Sequence, residues 1–198
     1  LNTGRYTERD IEGYSGLTPH PYLPGCYMAD GMAAVLEQGL IEKGLFYVQD
    51  PAAKMAVMAS GVKPGDRVID VCAAPGGKSF AAGCIMKNRG EIRSFDISAK
   101  KIPKITQGAE RLGLTIISVA AADGRVPVSG LRSTADVVIA DVPCSGFGVI
   151  RKKPEIRYKK EEEIRGLPEI QRDIMSCACE YVKPGGVLLY STCTLLAE

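Results

Sequence analysis

At 198 residues, with 45% hydrophobic and 24% charged residues and a formal net charge of +2, the chain has an ordinary globular composition and room for one substantial core. Bulk charge neither requires nor excludes nucleic acid, so any basic patch must be local. No apolar run approaches the roughly 18 residues of a membrane span, and no basic-then-apolar signal segment opens the chain, which predicts a cytoplasmic location with no membrane partner.

Seven cysteines, an odd number without framework spacing, fit a reducing compartment. With no CxxC and a single histidine, His20, no metal site is predicted. Cys177 and Cys179, two apart on a predicted helix, point to different faces.

Residues 1–44, rich in Gly, Pro and Tyr ("GYSGLTPHPYLPGCY"), predict a linker or subdomain of loops with a hairpin or a short helix around Met32 to Leu45. "LFYVQD" reads as a short strand ending at Asp50, which caps a helix "PAAKMAVMAS" with Pro51 at its first position. From there the main domain runs over 45–198. Near-continuous apolar strands are predicted at 67–71, 91–96, 115–120, 135–141 and 186–192. They alternate with helices over Lys78 to Met86, Ser98 to Leu112 and Glu161 to Val182. Pro103 and Gly108 are expected to kink or shorten the second helix, and Glu161, Glu162 and Glu163 suit the positive end of the third.

That alternation predicts an α/β fold with a mostly parallel sheet and helices on both faces. A chain that starts at Leu1 and stops just after "STCTLLAE" is expected to be a fragment lacking further C-terminal strands.

In such sheets ligands bind at the carboxyl ends of the strands, so the residues just after each strand carry the functional information. Here they are "CAAPGGK", "DIS", "AADGR", "DVPCSG" and "STCT". The loop from Cys72 through Ala73, Ala74, Pro75, Gly76, Gly77 and Lys78 has neither dinucleotide nor P-loop spacing, and alone it is a plain glycine turn. Asp96 follows about twenty residues later, where an acid grips ribose hydroxyls. Asp123 is placed to accept from an exocyclic amine. This series suits a nucleoside-bearing cofactor without polyphosphate, and S-adenosylmethionine fits it better than NAD.

Cys144 and Cys193 both follow strand ends, whereas Cys26, Cys72, Cys84, Cys177 and Cys179 read mostly as packing. A methyl group moved from a sulfonium to carbon 5 of a pyrimidine requires a thiolate to add at carbon 6 and a base to remove the carbon-5 proton. Either cysteine satisfies the first need. Asp141 is the natural group to hold the cytosine edge or orient the cofactor's methyl end. "RKKPEIRYKK" carries six basic residues and one acid. In isolation it is a solvated charge run, but directly after the Cys144 loop Arg151, Lys152, Lys153 and Arg157 are placed to grip RNA phosphates and Tyr158 to stack on a base.

Taken in order, "FYVQDPAA", "DVCAAPGGKS", "FDIS", "DGR", "DVPCSGFGVIRKKPEIRYK" and "YSTCT" resemble bacterial ribosomal-RNA cytosine-carbon-5 methyltransferases of the RsmB/Sun type, within the NOL1/NOP2/Sun family. The resemblance covers about Leu45 to Glu198. It implies a Rossmann-like fold, S-adenosylmethionine held by residues 72–78, Asp96, Asp123 and Asp141, and an RNA substrate, 16S rRNA rather than tRNA. It implies that Cys193 of the TC pair is the nucleophile and Cys144 assists release, with Lys78 and Asp141 lining the catalytic pocket. A DNA-enzyme mechanism would instead use Cys144, and a non-catalytic RNA-binding module would not need both thiols. The interrupting Pro103, the missing last strands and the absence of an upstream NusB-like domain depart from the family pattern.

Overall fold

The computed structural model describes residues 1–196. Where a hairpin or a short helix is expected around Met32 to Leu45, the N-terminal region has a short helix, α1 (Met32–Glu37), preceded by a two-stranded antiparallel hairpin of β1 (Leu17–Pro19) and β2 (Tyr27–Ala29). Asn2 ties it down. Fully buried, its Nδ2 donates to the carbonyls of Gly44 and Leu112, and its Oδ1 accepts from the Cys84 thiol.

"LFYVQD" is not a strand: it runs extended, with no ladder partner among the described residues, into α2 (Pro51–Ala59). Its apolar side chains go to packing instead. Leu45 and Phe46 join the N-terminal cluster of Leu1, Ile11, Val35 and Leu40, and Tyr47 packs edge-on against Phe80. Asp50 does cap α2, accepting from the Ala52 N–H at 2.8 Å.

The five predicted strands are all present: β3 (Arg67–Asp70), β4 (Glu91–Asp96), β5 (Ile117–Ala121), β6 (Ala135–Asp141) and β7 (Val182–Ser191). They form one sheet in the order β5-β4-β3-β6-β7 with every pairing parallel. Side chains alternate between two cores. Ile69, Val138 and Ala140 pack with Ile174, Ala178 and Tyr181 on one face, while Val68, Val137 and Ile139 pack with Val57, Ala81 and Met86 on the other. Burial on both faces is why these strands read as continuous apolar runs.

The helices are α3 (Gly77–Ile85), α4 (Ile102–Leu112) and α5 (Leu167–Tyr181). Two expectations about them need correcting. Pro103 neither kinks nor shortens α4, because it lies in the first turn, where no backbone donor is needed. The run from Glu161 is not one helix: the three glutamates form a separate 3₁₀ turn, and α5 starts only after Gly166 with Pro168 in its first turn. Gly108 is also no defect. A Cβ there, or at Gly76 (φ +110°), would collide with the ring of Phe80, so the ring lies closed in between two glycines.

Since β4 and β5 build outward from one side of β3 and β6 and β7 from the other, the strand order reverses between β3 and β6. Their ends, Asp70 and Asp141, mark the switch point at which such sheets bind ligands. Asp70 is completely buried, accepting from Ser79 Oγ at 2.7 Å. Burial pushes its carboxyl up to about 7, with the Asp141 charge adding to the shift against the opposing Ser79 and Cys72 hydrogen bonds.

The native state therefore keeps this proton from pH 4 to 7 while the unfolded chain gives it up. The stability contributed below pH 4 is lost as pH rises through 7, on the order of 4 kcal/mol by linkage. Asp70→Asn removes the titration. Thermal melts across pH 4 to 8 are expected to show the variant gaining on the native protein as pH rises; parallel curves would refute this.

Candidate active site

Two loops at the carboxyl ends of β6 and β7 meet. The Val142 N–H donates to the Ser191 carbonyl, the Gly148 N–H donates to the Cys193 carbonyl at 2.9 Å, and the Ser145 and Thr194 hydroxyls lie 2.6 Å apart. These bonds bring together the two cysteines singled out in the sequence. Cys144 Sγ lies 3.3 Å from Cys193 Sγ and accepts the Cys193 backbone N–H at 3.2 Å. The Cys193 thiol is pushed up to about 11 by desolvation first, then by its hydrogen bond to Cys144 and by the Cys144 and Asp141 charges, with Lys153 pulling the other way. Its partner in that hydrogen bond is a second sulfur.

Beside the thiols, Lys78 from the first turn of α3 meets Asp141 at the end of β6, Nζ to Oδ2 2.7 Å. The Lys78 side chain is only 14% exposed. Ser191 Oγ donates to the other carboxylate oxygen, Oδ1, at 2.7 Å. Asp141 is thus oriented from two sides by groups from two different elements.

A cleft of about 360 Å³ opens next to this pair, lined by Cys72, Ala74, Asp96, Asp123, Asp141 and Pro143 among others. Ala73, Pro75, Gly76, Gly77 and Lys78 do not line it. Ala73 packs with Phe80, the Gly77 carbonyl accepts from Gln49, and Lys78 turns to Asp141. Asp96 accepts the Ala74 and Ser98 N–H groups, one on each oxygen, at 3.1 and 2.9 Å, which fixes its carboxylate and leaves lone pairs for further donors. Asp123 is gripped through both oxygens by Arg125, whose guanidinium holds the carboxyl below the usual range. Burial pushes Cys72 up to about 12, a packing thiol at the cleft wall.

The basic strip follows the Cys144 loop as read, but some of its charge is already engaged. Lys152 pairs with Asp50, and Lys159 donates to the Ser145 carbonyl at 2.8 Å. Arg157 donates to the Pro154 carbonyl and lies over the ring of Tyr158, which is 77% exposed. Arg151 and Lys153 are exposed.

Sequence reasoning missed Arg125, Gln49, Ser191 and the pairing role of Asp50. "DGR" carried a signal for the first, an acid and a guanidinium two residues apart. The others act across 28 to 102 residues of chain.

No helix among the described residues is long and apolar enough to cross a membrane, and no group of three or more potential metal ligands occurs among them.

A parallel sheet with this strand order and an acid-lined cleft at its switch point defines the class: a Rossmann-like fold of the S-adenosylmethionine-dependent methyltransferases. A family model described as 16S rRNA methyltransferase RsmB/F matches residues 57–198, and the chain belongs to that family. It is 41% identical over 156 residues to a probable ribosomal RNA small subunit methyltransferase B of Bacillus subtilis (strain 168), covering 78% of this chain and 35% of that protein.

Among solved structures, it is similar to PH0851, with a TM-score of 0.91 and 30% identity over 98% of this chain and 46% of the other. It is also similar to NSun6 from Pyrococcus horikoshii with SFG, with a TM-score of 0.72 and 33% identity over 79% of this chain and 40% of the other. The chain spans about a third of the length of the curated relatives it matches.

Proposed function

We propose that this chain carries the catalytic site of an enzyme that methylates carbon 5 of a cytosine in 16S ribosomal RNA with S-adenosylmethionine. The observation that carries the proposal is the thiol pair, 3.3 Å apart, just beyond the strand ends where Asp141, paired with Lys78, and Pro143 line the cleft. A nitrogen or oxygen acceptor in RNA needs no thiol, whereas carbon 5 of a pyrimidine becomes a nucleophile only once a thiolate has added at carbon 6.

S-adenosylmethionine supplies an electrophilic methyl group when bound. The cleft suits it chemically, since Asp96 offers fixed acceptor lone pairs to ribose hydroxyls and nothing there forms a polyphosphate cradle. Asp123 would accept from the adenine amine, with Arg125 keeping it ionised. Asp141, shared with Lys78 and Ser191, holds the cytosine edge.

The Cys193 thiol, which is exposed, passes its proton to water and its sulfur forms a bond to carbon 6. The 5,6 electron pair would then make carbon 5 the nucleophile that takes the methyl group, with S-adenosylhomocysteine as the leaving group. Loss of the carbon-5 proton to water restores the double bond as the bond from Cys193 to carbon 6 breaks and its electron pair returns to the sulfur. Cys144, its sulfur 3.3 Å from that of Cys193, assists that release. Arg151, Lys153, Arg157 and Tyr158 supply phosphate and stacking contacts outside the pocket, and Lys152 joins them if it leaves Asp50.

The test is to incubate the protein with 16S rRNA, and separately with tRNA, plus S-adenosylmethionine bearing a trideuterated methyl group, and to analyse the nucleosides by mass spectrometry. Labelled 5-methylcytidine from 16S rRNA is expected. Label in another nucleoside refutes carbon-5 chemistry, and label only in tRNA refutes the substrate.

A further inference from the structure

Gln171 stands out in α5 because it is a polar residue on a buried face. It is 4% exposed, on the same face as Ile174, Ala178 and Tyr181. A buried amide is costly unless both ends are hydrogen-bonded. Here both ends are used, and each reaches a segment that leads to one of the two cysteines. Nε2 donates to the carbonyl of Pro143, the residue immediately before Cys144, at 2.9 Å. Oε1 accepts from the hydroxyl of Tyr190, three residues before Cys193, at 2.8 Å.

We infer that Gln171 is a positioning residue that sets the distance between the two thiols by holding the Pro143 carbonyl, and that product release depends on it. The inference rests on the function proposed above. Pro143 has no backbone N–H, so beyond the Val142 N–H bond to Ser191 its carbonyl is the one main-chain hydrogen-bonding group of the residue that precedes Cys144. On the Cys193 side the Gln171 contact reaches Tyr190, which the β6–β7 ladder already holds against Ala140, whereas Pro143 lies beyond the end of that ladder. Losing the Gln171 amide therefore moves Cys144 more than Cys193. A shift of about 1 Å at a reacting group costs up to about a hundredfold in rate.

The experiment compares Gln171→Met, which keeps length and bulk, with Tyr190→Phe and Cys144→Ala, each incubated with 16S rRNA and S-adenosylmethionine. Covalent protein–RNA adduct is read on a denaturing gel, and turnover is taken per folded molecule. Gln171→Met is expected to accumulate adduct as Cys144→Ala does and to lose roughly 10- to 100-fold in turnover. Tyr190→Phe, with Pro143 still held, is expected to release product. If Gln171→Met does not fold, Gln171→Glu replaces it, keeping the acceptor for Tyr190 without a donor for Pro143 at neutral pH.

Adduct in Cys144→Ala with none in the Gln171 variant would overturn the inference alone, leaving Gln171 a structural residue. Equal adduct in Tyr190→Phe would overturn the assignment to the Pro143 bond. No adduct in Cys144→Ala would overturn the proposed chemistry and the inference with it.

Discussion

Cys193→Ala is expected to abolish methyl transfer, by more than roughly a thousandfold, the scale on which deletion of a covalent nucleophile acts, while Cys144→Ala is expected to trap the protein on its RNA. The asymmetry follows from what each thiol would do. Without Cys193 no bond to carbon 6 forms, and carbon 5 never becomes a nucleophile. Without Cys144 the bond still forms, because Cys193 keeps its place in the β7 extension through the Gly148 contact. What is lost is the second sulfur 3.3 Å away.

The measurement is a denaturing gel of protein, RNA and cofactor. A slow-migrating adduct that appears in Cys144→Ala and not in Cys193→Ala supports these roles. The reverse pattern assigns the nucleophile to Cys144, as in the DNA-enzyme arrangement. Stability is a weak confounder for Cys193, which is exposed.

The second large effect is expected at Asp141. Asp141→Ala leaves the Lys78 ammonium, only 14% exposed, without its carboxylate and removes the acceptor for Ser191. Losing a preorganised charged contact in a site of this kind costs about 10²- to 10³-fold in turnover. Breaking a partly buried pair from one side also costs stability, about 1 to 2 kcal/mol after discounting the fully buried case for the exposure of Asp141.

Asp141→Asn separates the two effects. It keeps an acceptor for Ser191 and the same volume, so its melting temperature is expected to stay nearer to that of the native protein while turnover falls as far as in Asp141→Ala. A double-mutant cycle with Lys78→Met checks the pairing. Full additivity of the two losses would show that Lys78 and Asp141 do not act together.

Much of this site was legible because strand ends in a parallel sheet are where both the pattern and the chemistry concentrate. All five strands appear, the two cysteines meet each other, and Lys78 meets Asp141. The misreadings share a cause. "LFYVQD" has the composition of a strand, yet a strand exists only where a neighbour offers an edge, and Leu45, Phe46 and Tyr47 find apolar partners instead.

The glutamates at 161–163 look like the start of a long helix, but Gly166 and Pro168 place that start six residues later. Pro103 was read as an intruder because the predicted helix began four residues earlier than α4 does. Gln49, Gln171 and Ser191 carry no local signal, since their partners lie far away in sequence.

The Phe80 ring, closed in by Gly76 and Gly108, links the loop after β3 to α4 through three positions that fit as a set. In evolutionary terms this is a lock on sequence drift. A side chain at 108, or one at 76, collides with the ring unless residue 80 moves or shrinks, and shrinking residue 80 alone opens a hole beneath the turn that leads to Lys78. Single changes at any of the three are therefore all downhill, and the trio is expected to be inherited together or replaced together.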